Sequence, residues 1–256
     1  MNIKEIRSRN NPDFKRCLRL ISGRGLKKYR LALLSGPKQV KEVLRDFPER
    51  CDGIILSENQ DLSNETLPRE IRIVQFSHDL FRDIDIYGTG KPILMIRFDP
   101  FPRWSDEAWP PGCTLFCPFQ DPVNVGAVIR SAAAFGVSRV VLLKESAHPF
   151  HHKAIRVSGS TLLRVPLLEG PSIRSLNSRN TPMITLDPRG LEINRFEFPN
   201  TFGLIPGLEG PGITAGLKEM ISLGIPMESG IESLNASMAT GIALFMWKRG
   251  CGMNRK

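Results

Sequence analysis

Thr114-Leu115-Phe116-Cys117, Asp121-Pro122-Val123-Asn124-Val125-Gly126-Ala127-Val128-Ile129-Arg130 and Arg139-Val140-Val141-Leu142-Leu143 read in order as strand, helix and strand. Asp121 is a good N-cap and Pro122 suits a first helical position, while Gly136 suits the left-handed stop. After Arg139 the last run is apolar on every residue, as expected of a strand covered on both faces. Two such strands joined by one helix make a parallel β-α-β unit, so the expected class is α/β with a mostly parallel sheet.

Downstream the alternation continues. Helix is expected over 153–157, strand over 161–167 with a stop at Pro166, and helix again over 172–177. Strand 183–186 runs into the loop Asp187-Pro188-Arg189-Gly190, and strand 202–205 runs into Pro206-Gly207-Leu208-Glu209-Gly210-Pro211-Gly212. A short helix near Leu217 and an apolar segment around Ile225 precede the closing helix. There Ser233 is the expected cap, and Leu234, Met238, Ile242 and Phe245 recur at helical spacing as the expected buried face. The residues between them are small, which permits close approach of another backbone or a ligand.

Upstream, Asn10-Asn11-Pro12-Asp13 begins a helix with Phe14, Leu18 and Ile21 on one face, and Gly23-Arg24-Gly25 ends it. A strand over 29–34, a helix carrying Val40, Val43, Leu44 and Phe47, and strands over 53–56, 68–76 and 91–98 follow. Residues 99–111 are proline-rich, unsuited to helix or sheet, and carry Trp104 and Trp109 as docking points. The expected organisation is a small α/β domain over 1–98, a linker over 99–111 and a second α/β domain over 112–256.

Charge is concentrated at one end. Of a formal net charge of +9, the first 30 residues hold +8, from ten Lys/Arg against Glu5 and Asp13. Such density favours a polyanion such as nucleic acid, and Arg7, Arg9, Lys15, Arg16, Arg19, Arg24, Lys27 and Lys28 are the candidate contacts to it. The apolar residues among them are those of a short packed helix, not of a membrane-lying one. No apolar run approaches the ~20 residues of a membrane span, and the first residues lack a signal-peptide core, so a cytoplasmic setting is expected. Five cysteines without metal-type pairing fit reduced, buried thiols. His148-Pro149-Phe150-His151-His152 has no acidic or thiol partner nearby and Pro149 breaks its helical alignment, so no metal site is expected.

Three segments lie where strands give way to helices or loops, the place where open α/β sheets bind ligands. Asn124 and Arg130 occupy the first, and both reach the sheet edge if the opening turn is distorted. Glu209 sits among glycines in the second, which lacks the G-x-G-x-x-G order of a dinucleotide fingerprint. Ser233 and Asn235 occupy the third. Gly88-Thr89-Gly90-Lys91 fails as a phosphate loop because Asp85 stands where the first glycine is required.

Together, Asn124 to Arg130, Gly207 to Gly212, and Ile225-Pro226 leading to Ser233-Leu234-Asn235 resemble the three motifs of the SpoU (TrmH-type) branch of the SPOUT RNA methyltransferases, in order. Pro206 departs from the small apolar residue or leucine usual before the glycine. The resemblance implies a C-terminal trefoil knot, a homodimer, and an N-terminal domain that holds rRNA or tRNA. It implies S-adenosylmethionine held by backbone around Thr185, Leu186, Gly207, Ile225 and Leu234. Methyl transfer to a ribose 2′-hydroxyl would engage Arg130, Asn124, Glu209, Ser233 and Asn235. A non-catalytic RNA-binding or ribosome-assembly protein keeping the same fold is the alternative, and base methylation is disfavoured by the motifs.

Overall fold

The computed structural model describes residues 3–60, 67, 71–107, 109–176, 181–207 and 220–250. The chain divides into two compact units, residues 1–100 with 148–160, and residues 101–147 with 161–256.

The first unit contains β1 (Ile3–Ile6), α1 (Pro12–Ile21), α2 (Leu26–Tyr29), β2 (Leu31–Leu34), α3 (Pro37–Asp46), β3 (Cys51–Ser57), β4 (Arg72–Phe76), α4 (His78–Ile84) and β5 (Ile93–Arg97). Its sheet has the order β1-β4-β3-β5-β2. β4 is parallel to β1 and β3, and β5 is antiparallel to β3 and β2. β1 is an edge strand whose first three residues are exposed, so it lacks the apolar signature that would mark it in the sequence.

α1 begins as expected, with Asn11 accepting from the Asp13 backbone N–H at 2.9 Å and Pro12 at the first position. Its buried face is Phe14, Cys17 and Leu20, not Phe14, Leu18 and Ile21. At about 100° per residue, Leu18 lies roughly 100° from the middle of that arc, and it is 38 % exposed.

The second unit is built on β6 (Gly112–Cys117), α5 (Pro122–Phe135), β7 (Arg139–Leu142), β8 (Leu167–Glu169), β9 (Met183–Glu192), β10 (Thr201–Ile205), β11 (Ile221–Gly224) and the closing α7 (Ala236–Gly250). Its six strands run in the order β11-β9-β10-β6-β7-β8, and every pairing is parallel. The fold is α/β with a mostly parallel sheet. Phe116, Val141, Leu143, Ile173, Leu176, Met183 and Ile205 form one buried cluster.

Two strand expectations change. Residues 159–163 form a 3-10 turn rather than strand, and β8 begins only at Leu167, just after Pro166, which has no N–H to donate to a ladder. β9 continues beyond Leu186, but β11 pairs with Ile184 and Thr185 and then with Leu191 and Glu192. Residues 186–190 therefore stand out of register with β11.

The proline-rich strap also differs from expectation, since Arg103 forms a parallel bridge with Glu169. Trp104 and Trp109 place their ring centroids 5.3 and 5.8 Å from that of Phe116.

In α7 the buried face is not the one expected. The buried residues are Ala236, Thr240, Ala243, Leu244 and Trp247, while Met238 is 59 % and Phe245 43 % exposed. Ala236, Thr240 and Ala243 share the inward face with Leu244 and Trp247, and α7 lies against α5; a Cβ built on Gly241 would be 3.5 Å from the Ser131 Oγ. Of the expected stripe, Met238 and Phe245 are turned outward while Leu234 and Ile242 are half-buried.

Between β7 and β8, α6 (His152–Ser158) belongs to the first unit. There Tyr87 Oη lies 3.0 Å from His152 Nδ1, and Phe98 stacks on Phe150 at 4.1 Å. Burial pushes the His148 and His152 rings down to about 4, with the nearby charges of Lys27 and His151 adding to the effect at His148. Among the described residues, no group of three His, Cys, Asp or Glu is placed to hold a metal, and no helix is long and apolar enough to cross a membrane. Cys17, Cys51, Cys113 and Cys117 are buried free thiols, all pushed above the usual thiol pKa by burial.

Candidate functional site

β6 and β10 are neighbours, yet β6 leads through α5 to β7 on one side while β10 leads to β11 on the other. The strand order reverses between them, and in such sheets the crevice at the C-terminal ends of the strands is the ligand site. Asn124, Thr185, Leu186, Gly207 and Ile225 lie at or just beyond the ends of the strands that flank this point.

Asn124 follows β6. The Asp121 carboxylate caps α5 by accepting from the Val123 N–H at 3.0 Å, which sets Asn124 into the first turn, 7 % exposed. Asn235, 111 positions further on, donates from Nδ2 to Asn124 Oδ1 at 3.2 Å. This hydrogen bond joins the first and third motifs. Asn235 also caps α7: its Oδ1 accepts from the N–H of Ser237 at 3.0 Å and of Met238 at 3.2 Å, and from the Ser237 hydroxyl at 2.6 Å. The cap is therefore Asn235 rather than Ser233, which is exposed and three residues before the first helical residue. An amide is needed there, because one side chain both accepts from the helix and donates to Asn124.

Thr185 and Leu186 are buried where β9 leaves its regular pairing, with Thr185 opposite Ile205 and Ser222. Gly207 follows β10. A Cβ there would lie 2.7 Å from the Leu186 carbonyl oxygen, so the two backbones meet at a distance only glycine allows. Ile225 follows β11 and is half-buried, as is Leu234.

Sequence reasoning passed over two further features. A Cβ on Gly224 would be 3.0 Å from the carbonyl oxygens of Pro188 and Gly190, so the out-of-register loop closes on backbone alone. Asp187 in that loop accepts from the Arg189 N–H at 2.9 Å, which holds its carboxyl below the usual range. A glycine directly after an apolar strand was the available signal for the first; nothing in the sequence marked the second.

Arg130 is not brought onto the face that Asn124 occupies. α5 is regular from Pro122 to Phe135, so six residues carry Arg130 about 240° round the axis. Asn124 is buried and Arg130 exposed. Glu209 lies outside the described residues.

In the first unit the candidate cations divide. Arg9 pairs with Asp83 at 2.5 Å, and Arg16 with Asp13, also at 2.5 Å; Arg16 is half-covered and is held within the structure. Arg7 lies 3.4 Å from Glu5. Lys15, Arg19, Arg24, Lys27 and Lys28 are exposed along α1, the following turn and α2.

The sequence profile described as the SpoU rRNA Methylase family matches residues 115–245. A Syntrophobacter fumaroxidans protein named ribosomal RNA small subunit methyltransferase G 2 is 44 % identical over 247 residues, 96 % of this chain and 49 % of that one. This chain thus spans about half the length of that relative. The 23S rRNA (guanosine(2553)-2′-O)-methyltransferase of Bacillus subtilis is 26 % identical over 249 residues, 95 % of this chain and 98 % of that one. Among solved structures, the AdoMet-bound rRNA methyltransferase of Sinorhizobium meliloti shares the fold with a TM-score of 0.79 at 21 % identity, over 96 % of this chain and 98 % of that one. With just over half of its residues matched by the profile, the chain belongs to the SpoU rRNA methylase family.

Proposed function

We propose that this chain transfers the methyl group of S-adenosylmethionine to a ribose 2′-hydroxyl of structured RNA, rRNA or tRNA. The observation that carries the reading is the Asn235–Asn124 hydrogen bond, which ties two motifs of the family together beside the point where the strand order reverses. The names and cofactor of the relatives point the same way.

The residues at the strand ends fit S-adenosylmethionine. At Gly207 and Gly224 backbone packs on backbone, with the carbonyls of Leu186, Pro188 and Gly190 gathered there, and main-chain groups of these turns would supply the edge hydrogen bonds that the cofactor's ring needs. Thr185, Leu186, Gly207, Ile225 and Leu234 are the residues that would hold it; Pro206 contributes a carbonyl but no N–H. The cofactor supplies an electrophilic methyl on a sulfonium.

The chain must place the 2′-hydroxyl in line with that methyl and ease loss of its proton. Asn124 and Asn235 fix each other's orientation at the site, and Ser233 stands exposed nearby in sequence. A guanidinium is by its chemistry a donor and not a proton acceptor, so Arg130 is unsuited to be the base. It holds a phosphate and stabilises the developing alkoxide, reaching a partner subunit's site rather than its own. Its separation from the Asn124 face supports that placement. The homodimer is likewise our reading, supported by the outward-turned Met238 and Phe245 of α7. So are the trefoil knot, the cytoplasmic setting and a role for Glu209 in the glycine-rich loop.

Calorimetric titration with S-adenosylmethionine, with mapping of 2′-O-methyl sites in RNA from cells with and without the protein, tests the proposal. Cofactor binding and loss of a specific methyl in the deletion are expected. Absence of both would leave a non-catalytic RNA-binding protein. For Arg130→Lys, activity is expected to fall at least tenfold across the pH range; near-full activity, with a profile moved toward the lysine pKa, would restore the base role.

A further inference from the structure

A cleft of about 420 Å³ opens in the first unit between the C-terminal end of α1 and α2. That volume lies within the range of small-molecule sites, about 300–1,000 Å³. Its apolar lining is Leu18 and Tyr29, and its charged lining is Arg19, Arg24 and Lys28. From residue 14 to residue 41 the chain carries nine Lys/Arg and no carboxylate side chain, so no carboxylate within that stretch neutralises these three.

The parts of the cleft are mutually positioned. Arg19 Nη1 donates to the Tyr29 hydroxyl at 3.0 Å, which ties guanidinium and ring together. Lys28 Nζ lies 5.6 Å from the Tyr29 ring centroid. A Cβ on Gly25 would lie 2.9 Å from Tyr29 Cδ2 and 3.2 Å from the Arg19 carbonyl carbon, so the ring takes up the space a side chain would need. Leu18, expected in the core, is instead exposed here. A bare phosphate site has no use for an apolar surface, whereas a nucleotide presents a flat base and an anion at once.

We propose that this cleft is a nucleotide-binding site for single-stranded RNA, one base lying against Tyr29 and Leu18 and its phosphate on Arg19, Arg24 and Lys28. The inference rests on RNA being the partner of this chain, and it adds a grip on one unpaired nucleotide at a place separate from the methyl-transfer residues.

The test uses the full chain and fluorescence anisotropy, with a mixed-sequence RNA hexamer, a 12-base-pair RNA duplex and a heparin fragment as probes. Tyr29→Leu is expected to weaken hexamer binding about tenfold, as loss of one base–aromatic stack does, and to leave the duplex and heparin within twofold. Tyr29→Phe, which keeps the ring, should stay within twofold on all three probes. Lys28→Gln should lower the slope of log affinity against log salt by about 0.7 for the single strand. Unchanged hexamer binding by Tyr29→Leu, or an equal loss on hexamer, duplex and heparin, overturns the proposal. S-adenosylmethionine affinity, measured on the same preparations, separates the two readings: a parent chain that ignores the cofactor defeats the methyltransferase reading and leaves the cleft to be judged on the hexamer. If Tyr29→Leu melts early, Lys28→Gln and Arg24→Gln at the exposed rim decide, and an unaltered salt slope in both overturns the site.

Discussion

Replacing Asn235 separates two jobs that one side chain performs. Its Oδ1 caps α7 through two backbone N–H groups, and its Nδ2 bridges to the buried Asn124. Asn235→Ser keeps a capping oxygen and removes only the bridge. A neutral hydrogen bond of this kind contributes about 0.5–1.5 kcal/mol net. Asn235→Ala removes the cap as well, for about 1 kcal/mol more. For a chain of this size 1 kcal/mol moves Tm by about 2–4 °C. The serine variant should therefore melt about 2–4 °C below the parent and the alanine variant about 4–8 °C below, by scanning calorimetry of the transition of the second unit. The cycle completed with Asn124→Ala and the double variant should show a coupling of about 1 kcal/mol. Strict additivity would mean that the two amides do not interact, and the link between the motifs would be lost with it.

Gly207→Ala places a methyl 2.7 Å from the Leu186 carbonyl oxygen, and S-adenosylmethionine affinity should drop at least tenfold by calorimetry; an unchanged affinity would remove Gly207 from the site. Met238→Glu adds a charge to a residue already 59 % exposed. It should leave the fold intact by circular dichroism and shift the sedimentation coefficient to that of a monomer, whereas an unaltered value would place any dimer contact elsewhere. Burial lowers the His148 pKa to about 4 from an ordinary 6.5. The unfolded chain then binds more protons between these values, so stability is full above about pH 6.5 and falls as pH drops toward 4, by about 1–3 kcal/mol. His148→Phe should flatten the Tm profile between pH 4.5 and 6.5, and a slope equal to the parent's would assign the effect to other groups.

The β-α-β core was legible because both of its signals are local. Strands covered on two faces are apolar throughout, and the caps of α5, Asp121 and Gly136, act within a few residues of where they stand. β1 was not legible, since most of an edge strand faces water and its side chains carry no alternation to read. The same limit applies to Leu18 and to the outer face of α7. Periodicity reports that apolar residues share a face, but not whether this chain alone covers it.

Residue identity and order, taken by themselves, determined the parallel α/β class, the basic N-terminal segment and the three motif segments at strand ends. Only the folded chain decided that Asn235 rather than Ser233 caps α7, that Asn235 reaches Asn124, that Arg130 leaves that face, and that Thr240, Ala243, Leu244 and Trp247 of α7 turn inward while Met238 and Phe245 turn outward. Each of these depends on how elements far apart in sequence pack, and a capping or burial preference read from neighbouring residues holds no information about the partner that arrives from 111 positions away.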